Sequence, residues 1–136
     1  MIFDSKIAVV VREDLATWQK LNVACFLSGG LAGATPEVVG QPFADASGTR
    51  YGPLVRQPIL VFAATAAELQ KARRRAIDRA LPISIYTQEL FATGHDEANR
   101  AAVAAVAGDE LDLVGLAIHA DHKSVDKVLK GLSLHR

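Results

Sequence analysis

The sequence holds a single cysteine, Cys25, so no internal disulfide can staple the fold. It carries no charge excess either: fifteen basic residues cancel fifteen acidic ones, and nucleic acid is not favoured as a partner without the cationic surplus that phosphate binding needs. Long apolar runs are missing. Met1-Ile2-Phe3-Asp4-Ser5-Lys6 leads into only Ile7 to Val11, too short for a signal peptide or a membrane span, so a reduced cytoplasmic setting with no membrane is expected. There is no internal repeat and no low-complexity segment. Metal signatures are lacking too: His119-x-x-His122 would straddle a strand end and a turn, and His95 and His135 stand apart, so neither a metal nor a cofactor is expected.

What is present is the balance of an ordinary globule, half apolar and 22% charged, long enough for one core and one domain over residues 1–136. Lys6 to Val11 is short, β-branched and continuously apolar, which predicts a central strand covered on both faces. Leu21, Ala24, Cys25, Leu27, Ser28 and Leu31 then give the spacing of a buried helix, with Gly29, Gly30 and Gly33 ending it or admitting a close neighbour. Residues 34–53 are dense in turn formers and read as an exposed hairpin or loop excursion. Pro58 to Ala63 predicts a second buried strand. Thr65 and Glu68 form a capping-box pattern at the start of the next helix.

Pro82 to Thr87 predicts a third strand, Glu97 to Ala107 an alanine-rich helix stopped by Gly108, and Leu113 to Ile118 a fourth strand. A short helix over Ser124 to Lys130 precedes Gly131 and a possible last strand, Leu132 to Leu134. Strands alternating with helices predict an α/β fold: one three-layer domain with a mixed, mainly parallel four-stranded sheet and helices on both faces.

Three stretches resemble the class II peptidyl-tRNA hydrolases: the first strand with Arg12-x-Asp14-Leu15, the strand-helix-strand from Pro58 to Thr87, and the segment from Val114 to Leu134 containing Gly115, Val125-Asp126-Lys127-Val128 and Leu132-x-Leu134. The resemblance spans roughly two thirds of the chain, with the motifs in the same order. It implies a mixed sheet between helix layers and, usually, a homodimer. The chemistry does not carry over. Where those enzymes have a glycine-lysine pair, then a glutamine and a histidine, this chain has Trp18-Gln19-Lys20-Leu21, Cys25 and Ser28. Their catalytic aspartate after the third strand meets Gln88, with Glu89 beside it. Together with insertions at 34–53 and 92–112, Lys20-Leu21-Asn22-Val23, Phe26-Leu27-Ser28-Gly29 and Arg56-Gln57-Pro58-Ile59 are most similar to a divergent sister group, the domain-of-unknown-function family numbered two thousand.

In open α/β sheets, ligands gather beyond the carboxyl ends of parallel strands. That rule selects Asp14, Lys20 and Asn22 after the first strand, Tyr86, Thr87, Gln88 and Glu89 after the third, and Ser28 with Gly29 along the helix. As functional groups, Asp14 or Glu89 would activate water, Lys20 would stabilise an oxyanion, and Asn22, Ser28, Gly29, Thr87 and Gln88 would position a ligand, with His95 folding over the cleft from the insertion. As structural groups, Asp14 caps the loop, Lys20 and Glu89 are solvated, and Asn22 and Ser28 bond the backbone. Cys25, set among Ala24, Phe26 and Leu27, reads as a core cysteine. The run Lys71 to Arg79 reads as a solvated helix face. The expected function is a small-molecule or peptide-binding domain on a hydrolase-like scaffold. The alternative is a hydrolase with a rebuilt site, acting on peptidyl-tRNA or another acyl ester or amide.

Overall fold

The computed structural model describes residues 3–136. β1, Ser5–Arg12, is the central strand its composition predicts: Ile7 to Val11 are all buried, because helices cover both faces of the sheet. α1, Thr17–Ala34, lays Val23, Leu27 and Leu31 on one face. A 3-10 turn at Pro36–Val38 leads to a hairpin of β2, Phe43–Ala44, and β3, Arg50–Tyr51. β4, Ile59–Ala64, and α2, Ala66–Asp78, follow. Next come β5, Ile83–Thr87, a 3-10 turn at Gln88–Ala92 and α3, Asp96–Ala104. The chain closes with β6, Leu113–Asp121, α4, His122–Val128, and β7, Ser133–Leu134.

The main sheet has five strands in the order β5-β6-β1-β4-β7, and it is mostly antiparallel, not four-stranded and mainly parallel as the alternation of elements suggests. Among the described residues only β1 and β4 pair in parallel, with Val9 opposite Val61. β6 runs against β1 on one side and against β5 on the other, and β7 runs against β4. The reason lies in α3. It does not cross the sheet, so the chain leaves β5 and enters β6 at the same end, which makes that pair antiparallel. A bulge between Tyr86 and Thr87 shifts this pairing: Tyr86 opposes Gly115, Thr87 opposes Leu113, and Val114 between them has no partner.

Helices lie on both faces. Leu69, Ala72 and Ala76 of α2 and Val125 and Val128 of α4 pack with Ala8, Val10, Leu116 and Ile118. On the other face α1 meets Val9, Val11, Val114 and Ala117. There Gly115 lets the helix close in, since a Cβ on it would lie 2.4 Å from Val23 Cγ1 and 2.9 Å from Leu27 Cδ1. α2 starts with the expected capping box: Glu68 N–H donates to Thr65 Oγ1 at 3.2 Å, and Thr65 N–H donates to Glu68 Oε1 at 2.9 Å.

Four expectations are corrected. Gly29, Gly30 and Gly33 neither end α1 nor admit a neighbour; the helix runs through them, and apart from their own stretch of helix no described residue lies within 4 Å of where their Cβ atoms would be. Cys25 is exposed, not a core residue, because the outer face of α1 is left uncovered. The basic residues of α2 are partly engaged: Arg73 is half-buried against Gly108, Arg74 bonds Asp109 at 3.0 Å, and Arg75 donates to the Lys130 carbonyl at 3.0 Å. The alanine-rich helix covers Asp96–Ala104, earlier and shorter than expected. No helix of the described residues is long and apolar enough to cross a membrane.

Candidate functional site

β1 and β5 end side by side with the start of β6 between them, and Arg12 gathers the polar groups there. Its Nε donates to Asp14 Oδ1 at 2.7 Å, its Nη1 to Asp112 Oδ1 at 2.8 Å, and its Nη2 to Gln88 Oε1 at 3.3 Å. Gln88 N–H in turn donates to the Asp112 carbonyl at 2.9 Å. The Arg12 side chain is 14% exposed. Its burial works against the charged form, but the bonds to Asp14 and Asp112 outweigh that and raise its pKa. The guanidinium therefore acts as a fixed cationic clamp on the loop after β1, the turn after β5 and the residue before β6.

Beside this clamp, on the face that α1 covers, a groove of about 580 Å³ opens between α1, β5 and α3. Leu27, Ile85, Leu90 and Val103 give it apolar walls, and Ser84, Tyr86, Asn99 and Arg100 supply polar groups. An aromatic chain runs along one side: Phe26 is 6.1 Å from Tyr86, Tyr86 is 5.1 Å from Phe91, and Phe91 meets the edge of Trp18 at 5.7 Å. Burial pushes the Tyr86 phenol up, so it stays a neutral donor at physiological pH. Arg100 pairs with Asp96 across one turn of α3, and Asn99 Oδ1 accepts from the Thr93 hydroxyl. Both Asn99 and Arg100 border the groove across from Ser84 and Tyr86 of β5.

The sequence-derived candidates divide among these surroundings. Asp14 and Gln88 meet at Arg12. Thr87 is 1% exposed, and its buried hydroxyl finds no partner among the described residues. Lys20 is half-buried and Asn22 and Glu89 are exposed; among the described residues no ion pair or side-chain hydrogen bond joins any of them to Asp14. Ser28 is half-buried on α1. Gly29 borders a shallow hollow of about 330 Å³ with Cys25, Phe26 and Gly30. His95 caps α3, its Nδ1 accepting from Ala98 N–H at 3.2 Å, and does not line the groove.

The sequence reading missed Phe26, Leu90, Phe91, Asn99, Arg100 and Val103. No spacing rule joins them, because they come from three separate segments. It also missed a polar cluster at the opposite end of β1, where His119 Nε2 lies 2.8 Å from Ser5 Oγ and the buried Gln57 amide donates to the Ser5 carbonyl at 3.1 Å. Among the described residues no group of three or more histidine, cysteine or carboxylate side chains is placed to hold a metal ion.

A three-layer α/β domain with a lateral apolar groove is the class of protein that this architecture defines. Residues 5–136 match the profile of the family described as Protein of unknown function (DUF2000), and the chain belongs to that family. Over 99% of its length it is similar to the whole chain of the solved protein of unknown function Atu0240 from Agrobacterium tumefaciens str. C58, with 47% sequence identity and a TM-score of 0.96. No curated protein matches the sequence.

Proposed function

We propose that this chain is a binding domain for a small apolar molecule or a short peptide, held in the groove between α1, β5 and α3. The groove itself carries the reading. Its volume of about 580 Å³ falls within the range of small-ligand sites, and its apolar walls are interrupted by a few polar groups that would orient a guest. Tyr86 offers a phenol, Ser84 a hydroxyl and Asn99 an amide, on a strand and a helix that hold them in place. Asp14 and Gln88 take part indirectly in this reading, by fixing through Arg12 the strand ends from which the groove hangs.

The scaffold is taken to be a relative of the class II peptidyl-tRNA hydrolases, supported by the order of Arg12-x-Asp14-Leu15, Gly115 and Val125-Asp126-Lys127-Val128 along the chain. The single unpaired Cys25 supports a reducing, cytoplasmic setting.

A library of apolar fragments added to isotope-labelled protein tests the binding reading through amide shifts in NMR spectra. Shifts confined to residues 26, 84–86 and 99–104, and abolished by Ala104→Trp at the exposed rim, are the expected result. Shifts elsewhere, or none, would overturn it.

A second reading, a hydrolase with a rebuilt site, is supported by the convergence of Asp14 and Gln88 on Arg12 at the strand ends. There Asp14 or Glu89 would activate water and Lys20 would steady the oxyanion. Turnover of an N-blocked aminoacyl-tRNA or a p-nitrophenyl ester, lost in both Asp14→Asn and Lys20→Ala, would put this reading first. An absence of turnover would remove it.

A further inference from the structure

At the start of β1, the end away from Arg12, polar side chains from three neighbouring segments come together, and the strand registers bring them there. Ile7 lies opposite His119 of β6 on one side and opposite Ile59 of β4 on the other. Ser5 stands two residues before Ile7, so with a period of two it shares with Ile7 and His119 the face that α1 covers. Gln57 stands two residues before Ile59 and reaches Ser5 from the turn into β4.

The bonds in this cluster have a direction. His119 Nε2 lies 2.8 Å from Ser5 Oγ. Gln57, only 7% exposed, donates from Nε2 to the Ser5 carbonyl at 3.1 Å, and the same nitrogen lies 3.4 Å from Ser5 Oγ. A carbonyl oxygen only accepts, so it is the nitrogen of the Gln57 amide that faces Ser5. An amide N–H only donates, so Ser5 Oγ accepts from Gln57 and keeps its one hydrogen for His119. His119 Nε2 is then the acceptor, with the ring proton on Nδ1, and the imidazole is set to take the Ser5 proton. A hydroxyl bonded to an imidazole nitrogen in this sense is an activated nucleophile, and an amide N–H beside it is the donor that a developing oxyanion needs.

Space for a substrate adjoins the pair. His119 lines a hollow of about 240 Å³ with Leu31, Ala34, Thr35, Ile83 and Ala117, and no lining side chain other than His119 can carry a charge. A space of this size and character suits a short neutral acyl chain. Ser5 and Gln57 border a second hollow, of about 270 Å³, with Phe3 and Leu60. Ser5 and His119 are both half-buried, hence within reach of solvent.

We propose that Ser5, His119 and Gln57 form a catalytic site that hydrolyses esters of short, uncharged carboxylic acids. Ser5 Oγ attacks the ester carbonyl and its proton passes to His119 Nε2, while the negative oxygen of the tetrahedral intermediate is held by Gln57 Nε2. The bond from acyl carbon to alkoxy oxygen then breaks, and the leaving alcohol takes the proton from His119. Water, giving a proton to His119, attacks the acyl-Ser5 ester, and the released acid and the restored hydroxyl complete the cycle. The site stands apart from the groove between α1, β5 and α3, although Ser84 borders both the groove and the smaller hollow, and it uses neither Asp14 nor Lys20.

An alkyl fluorophosphonate, which a serine nucleophile attacks at phosphorus with loss of fluoride, is the first probe. Peptide mass mapping of the treated full chain should place one adduct, on Ser5. p-Nitrophenyl butyrate should be hydrolysed faster than p-nitrophenyl decanoate. Its kcat/KM should fall about a hundredfold or more in Ser5→Ala, and as far in His119→Gln, which keeps a partner for the hydroxyl but cannot take up its proton. Gln57→Leu should lower kcat with KM little changed, and Ser5→Cys should still be acylated. A cluster that only tied strands together would leave no adduct and no turnover to lose. The adduct is read on the wild-type chain, so it stands whether or not a variant folds. No adduct, or an adduct at another residue, would overturn the proposal. So would hydrolysis that survives Ser5→Ala, and its loss in Asp14→Asn would then move the activity to the Arg12 end of β1.

Discussion

Asp112 Oδ1 lies 2.8 Å from Arg12 Nη1, a contact across a hundred positions of sequence that joins the end of β1 to the start of β6. Because the same guanidinium also holds Asp14 and Gln88, its loss should loosen three connections at once. Arg12→Met, which keeps the stem, is expected to lower unfolding free energy by about 1–3 kcal/mol in a urea titration. Asp112→Asn alone, at a half-exposed carboxylate, should cost about 0.5–1 kcal/mol. In the double variant the two losses should not add, because the shared bond can be removed only once.

Gly115→Ala should be destabilising out of proportion to one methyl group. The added carbon would sit 2.4 Å from Val23 Cγ1 and 2.9 Å from Leu27 Cδ1, so these side chains or α1 itself must move. Overpacking of this kind costs about 1–3 kcal/mol, and Val23→Ala in the same chain should recover part of it by opening space. Equilibrium denaturation of the single and the double variant measures both effects.

The hairpin turn should have a pH window. Asp45 is held below the usual carboxylate range, chiefly by the Tyr51 hydroxyl and then by the Thr49 amide. The same bond to Asp45 raises the Tyr51 phenol. A lowered acid lends stability above its unfolded pKa of about 4 and loses it as pH falls through the folded value. A raised phenol lends stability below its unfolded value of about 10 and loses it as pH climbs beyond. The turn should therefore be intact between about pH 4 and 10 and loosen outside both limits. Amide exchange at Ser47 and Thr49 follows it, and Tyr51→Phe should move the acid-side midpoint upward.

Thr65→Ala removes one half of the capping box on α2 and should cost about 1 kcal/mol, whereas Thr65→Ser should be nearly neutral. Thermal unfolding of the pair separates loss of the cap from loss of the methyl group.

β1, β4, β5 and β6 were legible because each is an apolar run between turn formers, and Thr65 with Glu68 announced α2 directly. Strand order was not. Periodicity reports which side of an element is buried, never which strand lies next to it, and nothing in residues 92–112 says that α3 stays at one end of the sheet. Asp14 and Gln88 could be picked out at strand ends, but their meeting point, Arg12, depended on the contact with distant Asp112. α1 is apolar on all sides, so its sequence could not tell the covered face holding Val23 and Leu27 from the bare one holding Cys25 and Phe26. The groove was invisible for a related reason: Phe26, Tyr86 and Asn99 become neighbours only when three elements are placed in space.

The unpaired Val114 changes how β6 has to be counted. Beyond it, the alternation is regular, with Ala117 toward α1 and Leu116 and Ile118 toward α2. Before it, the parity is reversed: Leu113 joins the α2 side and Val114 the α1 side. A strand with a fixed period of two could not do both. Were the extra residue taken up into a regular pleat instead, Leu113 would turn out of the α2 core and Asp112 would turn through half a pleat from its place beside Arg12, so the clamp at the strand ends depends on a miscount inside the sheet.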